Sequence, residues 1–108
     1  ISRDPATGEE IARLPAASAD EVRAAVARSR TAFASWRRTS FAERRRVVLR
    51  AREVILAEMD ELATLISRES GKPVGEAMAL EVAPALDLMR WVADGAEKML
   101  RPRRFGIG

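Results

Sequence analysis

Cysteine and histidine are both absent from this chain of 108 residues. That excludes a thiolate nucleophile, a disulfide, a histidine general base and nearly every zinc site within it. No apolar run approaches the ~20 residues that a membrane-spanning helix requires. No signal peptide is visible either, so no membrane partner is expected. A cysteine-free chain is compatible with a reducing compartment, and a cytoplasmic location is the expectation. Charge of one sign is also scarce. The net +3 comes from 19 basic against 16 acidic residues, well mixed along the chain, which is a weak basis for a nucleic-acid partner.

What is present is globular in character: 47% apolar and 32% charged residues, enough for one domain or part of one. The chain starts at Ile1 rather than Met and stops in Phe105-Gly106-Ile107-Gly108, and a fragment or processed piece is expected. At the N-terminus Arg3-Asp4-Pro5-Ala6-Thr7-Gly8 has turn chemistry: Pro5 presets φ and Gly8 can take a positive one. Ile1–Arg3 and the alternating Glu10–Leu14 flank it, so residues 1–15 read as a short β-hairpin that Pro15 ends.

Ser18-Ala19-Asp20-Glu21 is a capping box, and Ser40-Phe41-Ala42-Glu43 repeats it. The first opens a helix over about 19–37, with Val22, Val26, Phe33 and Trp36 on one face and Ser29 as a gap. The second opens a helix with Val47, Val48, Ala51, Val54 and Ile55 on one side and Arg44, Arg45, Arg50 and Arg52 on the other. Those arginines read as a solvated face rather than a nucleic-acid patch, because no aromatics interleave with them. Met59-Asp60-Glu61 starts a third helix with Leu62, Leu65 and Ile66 inward. Gly71 stands where a helix C-terminal glycine belongs, and Pro73 follows as a stop. A fourth helical region covers roughly 74–99, striped by Met78, Val82, Leu86, Met89 and Val92 and widened by Leu88 and Trp91. Pro84 either kinks it or begins a second helix. Trp36 and Trp91 read as core anchors, and Arg101–Gly108 as a coil or linker.

The fold class expected is therefore mostly α: a short hairpin at 1–15, then about four amphipathic helices over 18–100. Such helices cannot close a large core alone, and their apolar faces need more protein. Gly71-Lys72 invites a phosphate-loop reading. It fails because Ile66 holds the place of the first glycine and Pro73 that of the hydroxyl residue. Lys72 then reads as an ordinary lysine, and Glu76 and Glu81 as charged surface. Glu69, an acid at a helix C-terminus, opposes the macrodipole; it is either a solvated glutamate or one with a partner such as a cation or an arginine.

Asp4–Pro15, Ala25–Trp36, Arg37–Arg44, Glu61–Ala77 and Leu80-Glu81-Val82, in this order and spacing, resemble the N-terminal region of the aldehyde dehydrogenase superfamily. The likeness runs from about residue 1 to 100. Asp4 replaces the usual asparagine, and Pro84 is unusual in its helix. The resemblance implies the N-terminal part of an α/β fold and NAD(P)-dependent oxidation of an aldehyde, a semialdehyde or other small aldehyde, to an acid. It implies a cysteine nucleophile, a glutamate base and an oxyanion hole beyond this region, so no catalytic or cofactor-binding residue maps here and NAD or NADP would bind elsewhere in the parent enzyme. Glu69 matches the carboxylate that holds a sodium or potassium ion in several members, together with a backbone carbonyl that would belong here to Ser2 or Arg3. The last helix flanks the substrate entrance in the family, which points to Leu80, Pro84 and Leu88. The partners implied are the remainder of the enzyme chain and further copies of it in a homo-oligomer. A free-standing helical interaction module is the alternative.

Overall fold

The computed structural model describes residues 1–102. It contains β1 (Ser2–Arg3), β2 (Glu10–Ala12), α1 (Ala19–Trp36), α2 (Phe41–Ala57), α3 (Met59–Ser70), α4 (Val74–Ala77), a π-helical turn (Met78–Val82) and α5 (Ala83–Met99). This is the hairpin-then-helices order that turn chemistry and periodicity predict. Arg103 and Arg104, with most of the expected C-terminal linker, lie outside the described residues.

β1 and β2 pair antiparallel, Ser2 opposite Ala12 and Arg3 opposite Glu10, with an irregularity between. Asp4 builds the turn. Its Oδ1 accepts from the N–H of Ala6 at 2.8 Å and of Thr7 at 3.3 Å, and its carbonyl from the N–H of Gly8 at 2.8 Å. Gly8 takes φ +76°. An asparagine would accept the same bonds through its own Oδ1, so aspartate serves here without change of geometry. The strand is shorter than its alternation suggests. β2 ends at Ala12, and Leu14 is exposed rather than paired.

Both capping boxes form in full. The Ser18 and Ser40 side chains accept from the N–H of Glu21 and Glu43, and each glutamate carboxylate accepts from its serine's N–H at 2.7 Å. The bonds from Ser40 hold the Glu43 carboxyl below its ordinary 4.5, and those from Ser18 do the same for Glu21. A depressed folded pKa contributes stability that is complete above the unfolded value and lost as pH falls through the folded one. Helix content should therefore be steady from neutral pH down to about 4.5 and decline below it. Ser40→Ala should lower the urea midpoint by an amount worth about 1 kcal/mol, and circular dichroism against pH and urea checks both expectations.

The core lies where α2, α3 and the π turn with α5 meet. Ala63, Ala77, Val82 and Leu86 are buried, and Ile55, Met59, Leu62, Ile66 and Met78 pack round them. Leu62 and Ile66 face inward as their spacing predicts, whereas Leu65 is exposed. α2 and α5 run antiparallel. The Arg45 guanidinium donates to Asp94 Oδ1 at 2.7 and 3.0 Å, and seven residues along α2 the Arg52 Nε donates to the Leu86 carbonyl at 3.0 Å. Arg90 also donates to Asp94, at 2.6 Å. Together the two arginines, Arg45 foremost, hold the Asp94 carboxyl below its ordinary value.

These bonds correct the expected solvated face of α2. Arg44, Val48, Arg52 and Ile55 are half-buried at helical spacing, while Val47 and Val54 are exposed. The inward face is rotated because guanidinium groups can satisfy helix-end and helix-side carbonyls that valine cannot. Arg44 sits 5.6 Å from the Trp36 ring centroid and 5.9 Å from that of Phe41. It donates to the carbonyls of Trp36 at 3.1 Å and Arg37 at 3.3 Å. Those are among the orphan acceptors at the end of α1, so Arg44 closes the α1–α2 corner.

One further expectation is overturned. α1 has no buried residue, and Trp36 and Trp91 are 41% and 61% exposed rather than core anchors. Of the two alternatives for Pro84, the start of a second helix holds to within one residue, since α5 begins at Ala83. Pro84 is the second residue of α5, directly after the π turn, in which the N–H of Ala83 donates to the carbonyl of Met78, five residues back. In an α-helix the Pro84 ring would meet the carbonyl of Leu80, and the wider turn relieves that clash. The radius of gyration is 19.3 Å, against about 13 Å for a compact domain of this length. The surface is 9016 Å², against roughly 6,000 Å² for a compact monomer of this mass. Among the apolar groups left uncovered are the stripe of α1 and, on α5, Leu88 and Trp91.

Candidate functional site

The hairpin meets the helices at the end of α3, and glycine makes that contact possible. Gly71 ends α3 with φ +76°, its N–H donating to the Ser67 carbonyl at 2.8 Å. A Cβ built on Gly71 would lie 2.9 Å from Cγ of Pro5. Glycine is thus required twice, for the left-handed backbone and for the close approach of the hairpin turn. The Ser67 hydroxyl donates to the Lys72 carbonyl at 2.6 Å, which fixes the chain where it leaves α3.

At this seam the Ser2 hydroxyl donates to Oε1 of Glu69 at 2.8 Å. So the glutamate that opposes the α3 dipole does have a neighbour, and two of the residues singled out from sequence come together. The side chain of the third, Arg3, turns away. It donates to the Gly8 carbonyl at 3.1 Å and lies 3.9 Å from Glu10. A carboxylate beside a hydroxyl is a pair of hard-oxygen donors. Among the described residues no cluster of three or more carboxylate, imidazole or thiolate ligands occurs.

Lys72 is not an ordinary surface lysine. Its ammonium, in the α3–α4 turn, pairs with the Glu81 carboxylate of the π turn, beyond α4, and that bond raises its pKa. Sequence reasoning missed the pair because nine residues and a turn separate its members. The one cation of the loop before α4 is thus engaged in a structural contact, which agrees with the failed phosphate-loop spacing.

Leu80, Pro84 and Leu88 are exposed, four residues apart, and form one outward row with Trp91; Leu80 is 66% exposed. Val82 and Leu86 occupy the opposite, inward side. The sequence placed Leu88 and Trp91 on the edge of the inward stripe, and the structure puts them outside it. A cleft of about 370 Å³ between the α1–α2 corner and the end of α5, lined by Trp36, Phe41, Val48, Val92 and Leu100 among others, had no sequence signal because three separated segments form it. No described helix is long and apolar enough to cross a membrane.

Among the described residues the sheet is a two-stranded hairpin, and its turns lead into no strand-to-helix glycine loop. The described residues thus form a hairpin keyed by Pro5 and Gly71 onto a helical layer, with a hydroxyl–carboxylate seam between them. The chain matches the model of the aldehyde dehydrogenase family over residues 2–106. It belongs to that family.

Proposed function

We propose that residues 1–108 are the N-terminal helical segment of an NAD(P)-dependent aldehyde dehydrogenase that converts a small aldehyde, a semialdehyde for example, to its acid. The observation that carries this reading is the family match across nearly the whole chain in a sequence that has no cysteine. In this reading the segment braces the dinucleotide-binding domain and does no chemistry alone. The remainder of the polypeptide supplies nucleophile, base and nucleotide site, the enzyme is a homo-oligomer, and its location is the cytoplasm. The uncovered apolar surface supports that view, since a segment of a larger fold leaves unburied what its continuation covers. The same surface also suits a free-standing interaction module, the second reading.

Extension of the chain past Gly108 separates the two. The pure 108-residue chain should form no NAD(P)H from any aldehyde above a blank. A longer chain should carry a cysteine and show aldehyde-dependent turnover. A stop codon after Gly108 would favour the module.

Glu69, with the carbonyl of Ser2 or Arg3, is proposed to hold a sodium or potassium ion, and Leu80, Pro84 and Leu88 to border the substrate entrance. In the extended enzyme, Glu69→Gln should abolish the rise in melting temperature that sodium or potassium gives. Leu88→Ala should change KM more than kcat. A salt response that is the same with and without Glu69 would remove the ion site.

A further inference from the structure

The apolar residues of α1 follow a stricter rule than amphipathicity requires. Val22, Val26, Phe33 and Trp36, with the polar Ser29 standing in the gap, are separated by alternating steps of four and three residues. Apart from alanines, α1 carries no other apolar side chain. This is the narrow seam of a helix that meets one partner helix. A helix covering a sheet, or several helices at once, shows a wider stripe, as the inward face of α5 does. One flank of the seam is uniformly cationic, with Arg23, Arg30 and Arg37 at seven-residue intervals. The other carries Ala25 and Ala32. The seam is uncovered: Val22, Val26, Phe33 and Trp36 are all exposed, and no described carboxylate pairs with Arg30 or Arg37.

We propose that α1 is the docking face for one α-helix, supplied by the remainder of the enzyme polypeptide, whose apolar seam is flanked by Asp or Glu. Flanking charges choose the partner in such pairs. A second copy of α1 fits poorly. Antiparallel pairing sets arginine against arginine, and parallel pairing sets arginine against alanine with no ion pair gained. The proposal rests on the reading of this chain as an enzyme segment, yet its test does not need turnover, so the two can fail separately.

The test uses the 108-residue chain in a Trp91→Phe background, so that Trp36 alone reports. Two designed helical peptides share a leucine seam and differ only in carrying Glu or Lys at the flanking positions. The Glu peptide should bind at least about tenfold more tightly than the Lys peptide. Arg23→Glu with Arg30→Glu should reverse the order. Val26→Asp should abolish binding while circular dichroism shows the helix content retained. In a chain extended to the full enzyme, Trp36 should be protected from acrylamide quenching and the Glu peptide should no longer bind. Equal affinity for the two peptides overturns the acidic flank. Concentration-dependent dimerisation of the 108-residue chain through Trp36 makes a second copy the occupant and overturns the proposal. Continued peptide binding by the extended enzyme overturns the choice of the remainder of the chain.

Discussion

Gly71→Ala should cost roughly 2–4 kcal/mol, because two independent penalties meet at one Cβ. The φ of +76° lies where an L-residue is strained. The added carbon would also stand 2.9 Å from Cγ of Pro5, so the hairpin turn must lift from the end of α3. Urea unfolding of the single variants and of the double variant with Pro5→Ala separates the penalties. Relief of part of the loss in the double variant measures the contact with Pro5, and what remains is backbone strain. Because Ser2 bonds to Glu69 beside this contact, the amide resonances of the hairpin should shift with Gly71→Ala. A loss below about 0.5 kcal/mol, the range of ordinary surface changes, would mean that the hairpin does not rest on the glycine.

Leu86→Ala should cost roughly 2–5 kcal/mol, while Leu88→Ala stays within about 0.5 kcal/mol. The two leucines are two residues apart on α5, yet Leu86 is 5% exposed and Leu88 58%. Leu86 is the largest member of a buried cluster otherwise made of Ala63, Ala77 and Val82. Its loss therefore leaves a void that alanines cannot fill. The Leu86 carbonyl also accepts from Arg52, so any shift of this turn loosens the clamp between α2 and α5. Stability is marginal in any small domain, and Leu86→Ala should turn cooperative unfolding into a broad transition. Equal losses at the two positions would contradict the inward face assigned to α5.

The features legible in the sequence are those fixed within a few residues. Both capping boxes, the Asp4–Gly8 turn and the left-handed Gly71 depend on local backbone needs that residue type announces. The fourth stripe was legible too, because Met78, Val82 and Leu86 keep their spacing through the π turn. The inward turn of Arg44 and Arg52 was not. Hydropathy assigns arginine to water, and only the tertiary position of Trp36 and the Leu86 carbonyl gives each guanidinium a reason to face inward. The uncovered stripe of α1 fits the expectation that these helices cannot close a large core alone, whereas the burial of Trp36 that the stripe announced did not follow. Within the candidate site, the dipole argument raised the question of a partner for Glu69, but Ser2 is 67 residues away. The pairing of Lys72 with Glu81 had no signal at all.

The π turn at Met78–Val82 sets the angular phase of the whole last helix. A helix advances about 100° per residue, so the additional residue in this turn shifts the residues after it relative to those before it. Ala77 on one side and Val82 and Leu86 on the other all reach the same core only because of that offset. Forcing α geometry on the turn with every residue kept would swing Ala77 by about 100° off the core; deleting Ala79 would keep Ala77 in phase, four residues before Val82, but would drive the Pro84 ring onto the Leu80 carbonyl. Proline and π turn are therefore a matched pair, a one-residue vernier that lets an outward row containing proline share a helix with an inward row that never loses register.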